Sequence, residues 1–341
     1  MIVLRPRTAR ASRQARRSPP LLLALLALPL AFGPGLGCQT FSRKQAEAEY
    51  GPSEGILETV AVLRRHVPDD TYHFPPAVDF TGRNVYRASL LRLENLERAQ
   101  ADAIRSGYMD PVLAFAKARA LERLRAYDLA AQHYREAARL PGALREPALE
   151  GAAVNERIAS ALGVGLELVD PLSDAGLEPL PLDAERVRLE LDDRVDRLSS
   201  ILPDVRDDHY RWIVQDEIER ADEIRAHYFV EMRFAIPSGH LIALQELQRV
   251  ATRHGSSKKR LGHLLRLADY YAELSRQYIA AAPAEGLRFD PARFRELSDA
   301  AIQLYEVVAS HDGHPEKLEA ARSLEAYLAF TLGIDADRFD R

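Results

Sequence analysis

The sequence predicts an all-α protein of stacked antiparallel helical hairpins, with an irregular helical bundle as the alternative packing of the same helices. Three observations predict it. The composition leans on Ala, Leu, Arg and Glu, while the 18 Gly and 20 Pro collect between apolar-periodic segments. Stop and start signals stand at nearly every boundary: Asp110-Pro111, Pro141-Gly142, Pro203-Asp204, Pro237-Ser238-Gly239, Gly255-Ser256-Ser257, Asp290-Pro291 and Gly313-His314-Pro315. No run keeps strand alternation long enough to claim a sheet.

Residues 1–37 are expected to be an export signal. Six arginines (Arg5, Arg7, Arg10, Arg13, Arg16, Arg17) precede the apolar run LLLALLALPLAF at 21–32. That run is too short for a membrane span of roughly 20 residues and suits a signal-peptide core. Gly33, Pro34, Gly35 and Gly37 then break helix and leave an extended segment for a peptidase. Residues 38–53 are polar and read as a tether. A helix is expected at 54–66, followed by a Pro-rich extended loop at 67–82. Further helices are expected at about 83–106, 111–124, 127–139 and 146–161, so that 54–161 forms an N-terminal helical region. Residues 162–183 read as a linker. The C-terminal region, 184–341, carries helices near 184–201, 206–235, 239–254, 258–281, 291–310 and 315–332. Connections of a few residues make consecutive helices antiparallel hairpins.

Cys38 is the one cysteine of the chain, so neither an internal disulfide nor a cysteine zinc site is available. Leu36-Gly37-Cys38 resembles the end of a bacterial lipobox, with Leu36 one place later than the family pattern sets its leucine. The resemblance implies lipid attachment at Cys38, as a diacylglyceryl thioether with an acylated amine such as palmitate, and stable membrane anchoring. Gln39 in the following position implies the outer membrane, the body facing the periplasm. Ordinary cleavage near Ala31-Phe32-Gly33 and an uncleaved anchor are the alternatives.

The segment PVLAFAKARALERLRAYDLAAQHYREAARLPG at 111–142 resembles a tetratricopeptide repeat. Ala118 matches the small residue of that family's first helix, and Ala130, Tyr134 and Ala137 match the small, aromatic and small positions of its second. Ala301 and Tyr305, in LSDAAIQLYEVVASHDGHP, hold the same spacing in a more degenerate copy, as does Ala243 with Leu247 and Val250. By this resemblance the chain binds peptides or partner helices.

Charge restricts the partners. The formal net charge is −5, and because residues 1–37 hold six arginines and no acid, the remainder stands at −11, with 40 Lys and Arg against 51 Asp and Glu. An acidic body of this kind excludes general nucleic-acid binding. No catalytic motif is present: there is no Gly-x-Ser-x-Gly, no His-Glu-x-x-His and no P-loop. No cofactor is expected, and the chain does not read as an enzyme.

Glu219, Glu223, His227 and Glu231 recur every four residues, a spacing that could line one helix face and ligate a metal with a second helix. Ion pairs with neighbouring arginines on a solvated or groove-lining face explain the stripe adequately, and no metal site is expected. In HGSSKKRLGH, Ser256 or Ser257 is expected to cap a helix. In SHDGHP, His311, Asp312 and His314 read as a turn. The expected function is a lipid-anchored helical-repeat scaffold or adaptor for protein partners in the cell envelope. The alternatives are a helical enzyme with a metal on the Glu219/Glu223/His227/Glu231 face, or a lipoprotein that binds a small ligand.

Overall fold

Helices punctuated this regularly have little topological freedom, since each short connection folds the next helix back on the last. The computed structural model has that arrangement. It describes residues 51–67, 71–74, 76–77, 84–106, 108–164 and 183–339. The signal-like segment, Cys38 and most of the tether lie outside the described residues, as do 165–182.

Eleven α-helices occur among the described residues: α1 (Pro52–His66), α2 (Val85–Ser106), α3 (Asp110–Arg123), α4 (Tyr127–Ala137), α5 (Arg145–Leu162), α6 (Ala184–Ser199), α7 (Asp208–Glu231), α8 (Gly239–Arg253), α9 (Arg260–Ala281), α10 (Pro291–Ala309) and α11 (Glu316–Phe339). Short 3-10 turns stand before and after α7, and no extended strand is present among the described residues. None of these helices is long and apolar enough to cross a membrane.

The local chemistry sets the boundaries. Proline opens α1, α3 and α10, where a missing N–H costs nothing. Asp183, Asp207 and Asp290 cap α6, α7 and α10 by accepting backbone N–H bonds from Arg186, His209 and Ala292. At the start of α8 a Cβ on Gly239 would stand 2.3 Å from the Arg233 carbonyl oxygen, so only glycine fits that close approach. Several boundaries differ from expectation: α7, expected to run to 235, ends at Glu231 and passes into a 3-10 turn at Met232–Phe234. The helix α11 continues past 332, and Ser257 does not cap α9, which begins at Arg260; its hydroxyl instead accepts from the Lys259 N–H inside the preceding turn.

Apolar packing passes from helix to helix in chain order. Ile56, Tyr86 and Leu113 join α1, α2 and α3. Ala118, Tyr134 and Ala148 join α3, α4 and α5. Ile158, Leu198 and Val214 join α5, α6 and α7, so the core is continuous on either side of 165–182. Leu191, Phe229, Leu247 and Leu267 carry it through α6 to α9, and Ala268, Tyr305 and Tyr327 finish it in α9 to α11. The extensive helix–helix contacts are between elements one or two apart in the chain, with Glu122 of α3 and Tyr127 of α4 also reaching α7. This quasi-one-dimensional pattern is that of stacked hairpins.

Residues 71–74 break the pattern. The Lys258 N–H donates to the Tyr72 carbonyl at 2.9 Å, and the His73 ring bonds the Ser256 carbonyl at 2.7 Å, so this segment straps onto the turn between α8 and α9.

Candidate functional site

The small and aromatic residues matched to the repeat positions are interior. Ala118, Ala130, Tyr134 and Ala137 are at most 1% exposed and share one cluster, and Ala301 and Tyr305 are at most 2% exposed in another. A polar detail recurs with them. The Tyr134 hydroxyl donates to Glu122 of α3 at 2.9 Å, and the Tyr305 hydroxyl donates to Asp269 of α9 at 2.6 Å. In both hairpins an aromatic four residues after a buried alanine spans to an acid on the preceding helix.

The greatest concentration of buried charge lies on α7. Glu217, Glu219, Asp222, Glu223 and Arg225 are all under 9% exposed. The expectation of a solvated face with pairs inside one helix is therefore corrected: these groups are interior, and their partners come from other helices. Ionised side chains this deep require charged partners, because desolvation otherwise exceeds what packing returns.

Asp222 accepts from Arg249 Nη1 at 2.7 Å, Arg253 Nη1 at 3.1 Å and His254 Nε2 at 2.9 Å. Burial works to raise its pKa, but the His254 bond and the charge and bond of Arg249 outweigh it and hold the carboxyl below its usual value. An ionised Asp222 only accepts, so His254 carries its proton on Nε2 and presents Nδ1 to the Tyr72 hydroxyl at 2.7 Å. Burial, then the nearby charge of Glu219, pushes the Tyr72 phenol well up, which keeps it protonated. This Tyr72–His254–Asp222 chain borders a cavity of about 420 Å³ with Trp212, Gln215 and Arg253 in its wall.

One turn along α7, Glu219 and Glu223 flank the imidazole of His263 from α9. His263 Nε2 lies 2.7 Å from Glu219 Oε1, and its Nδ1 lies 3.7 Å from Glu223 Oε1. Lys259 donates to Glu223 Oε2 at 2.8 Å. Burial would raise the Glu219 pKa, yet the bond from His263, then the nearby Ser257 hydroxyl and the charge of Lys259, hold it low. Lys258, the other lysine of the basic turn, bonds Asp216 at 3.0 Å and the Thr71 carbonyl at 3.1 Å. The basic patch of the sequence is thus folded inward onto α7.

The four-residue stripe is only half retained. Glu219 and Glu223 meet His263, whereas His227 lines an adjoining cavity and Glu231 is exposed. His263 and Lys259 lie in HGSSKKRLGH, and nothing in their spacing points to α7. His311, Asp312 and His314 lie in an exposed turn with Gly313 at φ 83°.

A second buried network, around Glu122, is saturated. His209, Arg119, Tyr134 and Asn155 all donate to its two oxygens. With its acceptors occupied, it is a packing device joining α3, α4, α5 and α7.

Comparison of the chain with protein-family models, with curated proteins and with solved structures finds no match.

Proposed function

We propose that the chain is a lipid-anchored helical-repeat scaffold of a bacterial outer membrane, facing the periplasm and holding protein partners of the cell envelope. The observation that carries this reading is the recurrence, in α3–α4 and again in α9–α10, of one packing scheme. A buried alanine, an aromatic four residues later and an acid on the preceding helix appear in both. That scheme supports a tetratricopeptide-like hairpin, and stacks of such hairpins serve as surfaces for extended peptides and partner helices.

An apolar groove of about 550 Å³ between α1 and α3, walled by Leu57, Val60, Ala61, Val112 and Phe115, offers one place for a partner's apolar side chains. Attachment to the membrane rests in this reading on Cys38 and its sequence context. Metabolic labelling with palmitate tests it: label in the wild-type chain and none in Cys38→Ser is the expected result. Label of equal strength in both, or in neither, removes the anchor.

A further inference from the structure

A cavity of about 290 Å³ between α7, α8 and α9 has Glu223, His227, His263 and Asp269 in its wall. Lys259 occupies Glu223 Oε2 and leaves Oε1 facing His263 Nδ1 at 3.7 Å, too far for a hydrogen bond. Glu219, on the other edge of the imidazole, is 0% exposed, and its Oε2 has no hydrogen-bond partner. The three side chains each bring one potential ligand atom within 4.8 Å of the other two.

We propose that Glu219, Glu223 and His263 bind a divalent first-row transition-metal ion, with Zn²⁺ as the probe. Charge balance is the first argument. Asp216 is paired with Lys258, and Asp222 with Arg249, Arg253 and His254. Among the described residues, Glu219 and Glu223 have one full cation as an ion-pair partner, Lys259. A bound divalent ion supplies the second positive charge, whose absence is costly at this depth.

Ligand chemistry is the second argument. Imidazole and carboxylate oxygen are the donors that Zn²⁺ and its neighbours accept, at roughly 2.0–2.2 Å. Such bonds place ligand atoms about 3.3 Å apart on a four-coordinate ion. The 3.7 Å separation of Glu223 and His263 needs only a small contraction. The unpartnered Glu219 Oε2 is an acceptor without a donor, as a metal site supplies. The cavity beside Glu223 and His263 provides the entry path and room for water on the open positions.

The test is a Zn²⁺ titration of the untagged full-length protein, stripped with chelator, against a chromophoric competitor. One equivalent is expected, with affinity reduced at least about 10-fold by Glu219→Gln, Glu223→Gln and His263→Ala. Circular dichroism establishes that each variant keeps wild-type helix content. Should a variant fail to fold, X-ray absorption of the Zn²⁺-loaded wild type decides: one imidazole and oxygen donors are expected. No stoichiometric binding by the wild type, a folded His263→Ala with undiminished affinity, or a first shell without imidazole overturns the site.

Discussion

Arg125 and Glu217 form a two-pronged ion pair that ties the turn between α3 and α4 to the middle of α7, Nε to Oε1 at 2.6 Å and Nη2 to Oε2 at 2.8 Å. Arg125 stands at φ 65°, a left-handed conformation that costs a non-glycine residue about 1 kcal/mol. The pair, with the Tyr127 hydroxyl also on Glu217, offsets that cost. Arg125→Ala is expected to destabilise the protein by about 2 kcal/mol, since it strands Glu217 in the interior. Arg125→Gly loses the same pair but relieves the backbone, so it is expected to be the milder variant by about 1 kcal/mol. Urea midpoints for the two compare them directly.

Gly151 lies where α5 presses on two tyrosines. A Cβ there would fall 2.6 Å from Tyr210 Oη and 2.9 Å from the Tyr134 ring. Gly151→Ala is expected to cost roughly 1–3 kcal/mol by overpacking. Gly333→Ala, on α11 with nothing within 4 Å of the added methyl, is expected to stabilise by about 0.5–1 kcal/mol. Opposite shifts in thermal midpoint from the same chemical change would verify the close approach.

The Glu122 network predicts a pH dependence. Burial opposes ionisation of Glu122, but His209 and then Arg119 outweigh it and lower its pKa from 4.5 to about 2. A folded-state value below the unfolded one means that the native state holds fewer protons. The contribution to stability is therefore full above about pH 4.5 and is lost as pH falls toward 2. Stability measured by urea unfolding across that range should fall less steeply with acid in Glu122→Gln than in wild type. An identical acid limb would contradict the assignment.

The strap at 71–74 makes its own prediction. The Lys258 amide is held by the Tyr72 carbonyl, and the Tyr72 side chain by His254. Tyr72→Ala removes the side-chain anchor, and amide hydrogen exchange at Lys258 is expected to quicken at least about 10-fold, while amides in the middle of α3 stay unchanged. Unchanged exchange at Lys258 would show that the strap does not depend on Tyr72.

The helices were legible because proline, glycine and capping aspartate mark their ends locally, through chemistry that needs no tertiary contact. Ala118, Ala130 and Tyr134 were legible for a related reason: a close helix pair requires small residues at fixed spacing. The α7 site was legible only in part. A four-residue spacing drifts about 40° per step on a 3.6-residue helix, so Glu219 and Glu223 stay near one face while Glu231 has turned to solvent. The partners His263 and Lys259 lie on an element whose approach is set by packing of α8 and α9, and no periodicity in α7 encodes that approach. The mixed polar composition of α7 resembled a surface helix because its neutralising arginines and lysines come from elsewhere in the chain.

The central claim is that an anchored helical stack holds an envelope protein, and the most direct measurement is affinity capture of the full chain from crosslinked envelopes. The expected result is a protein partner enriched over both a Cys38→Ser chain and an unrelated lipoprotein, with the enrichment reduced by Leu57→Asp at the exposed edge of the α1–α3 groove. No enrichment over either control would contradict the account.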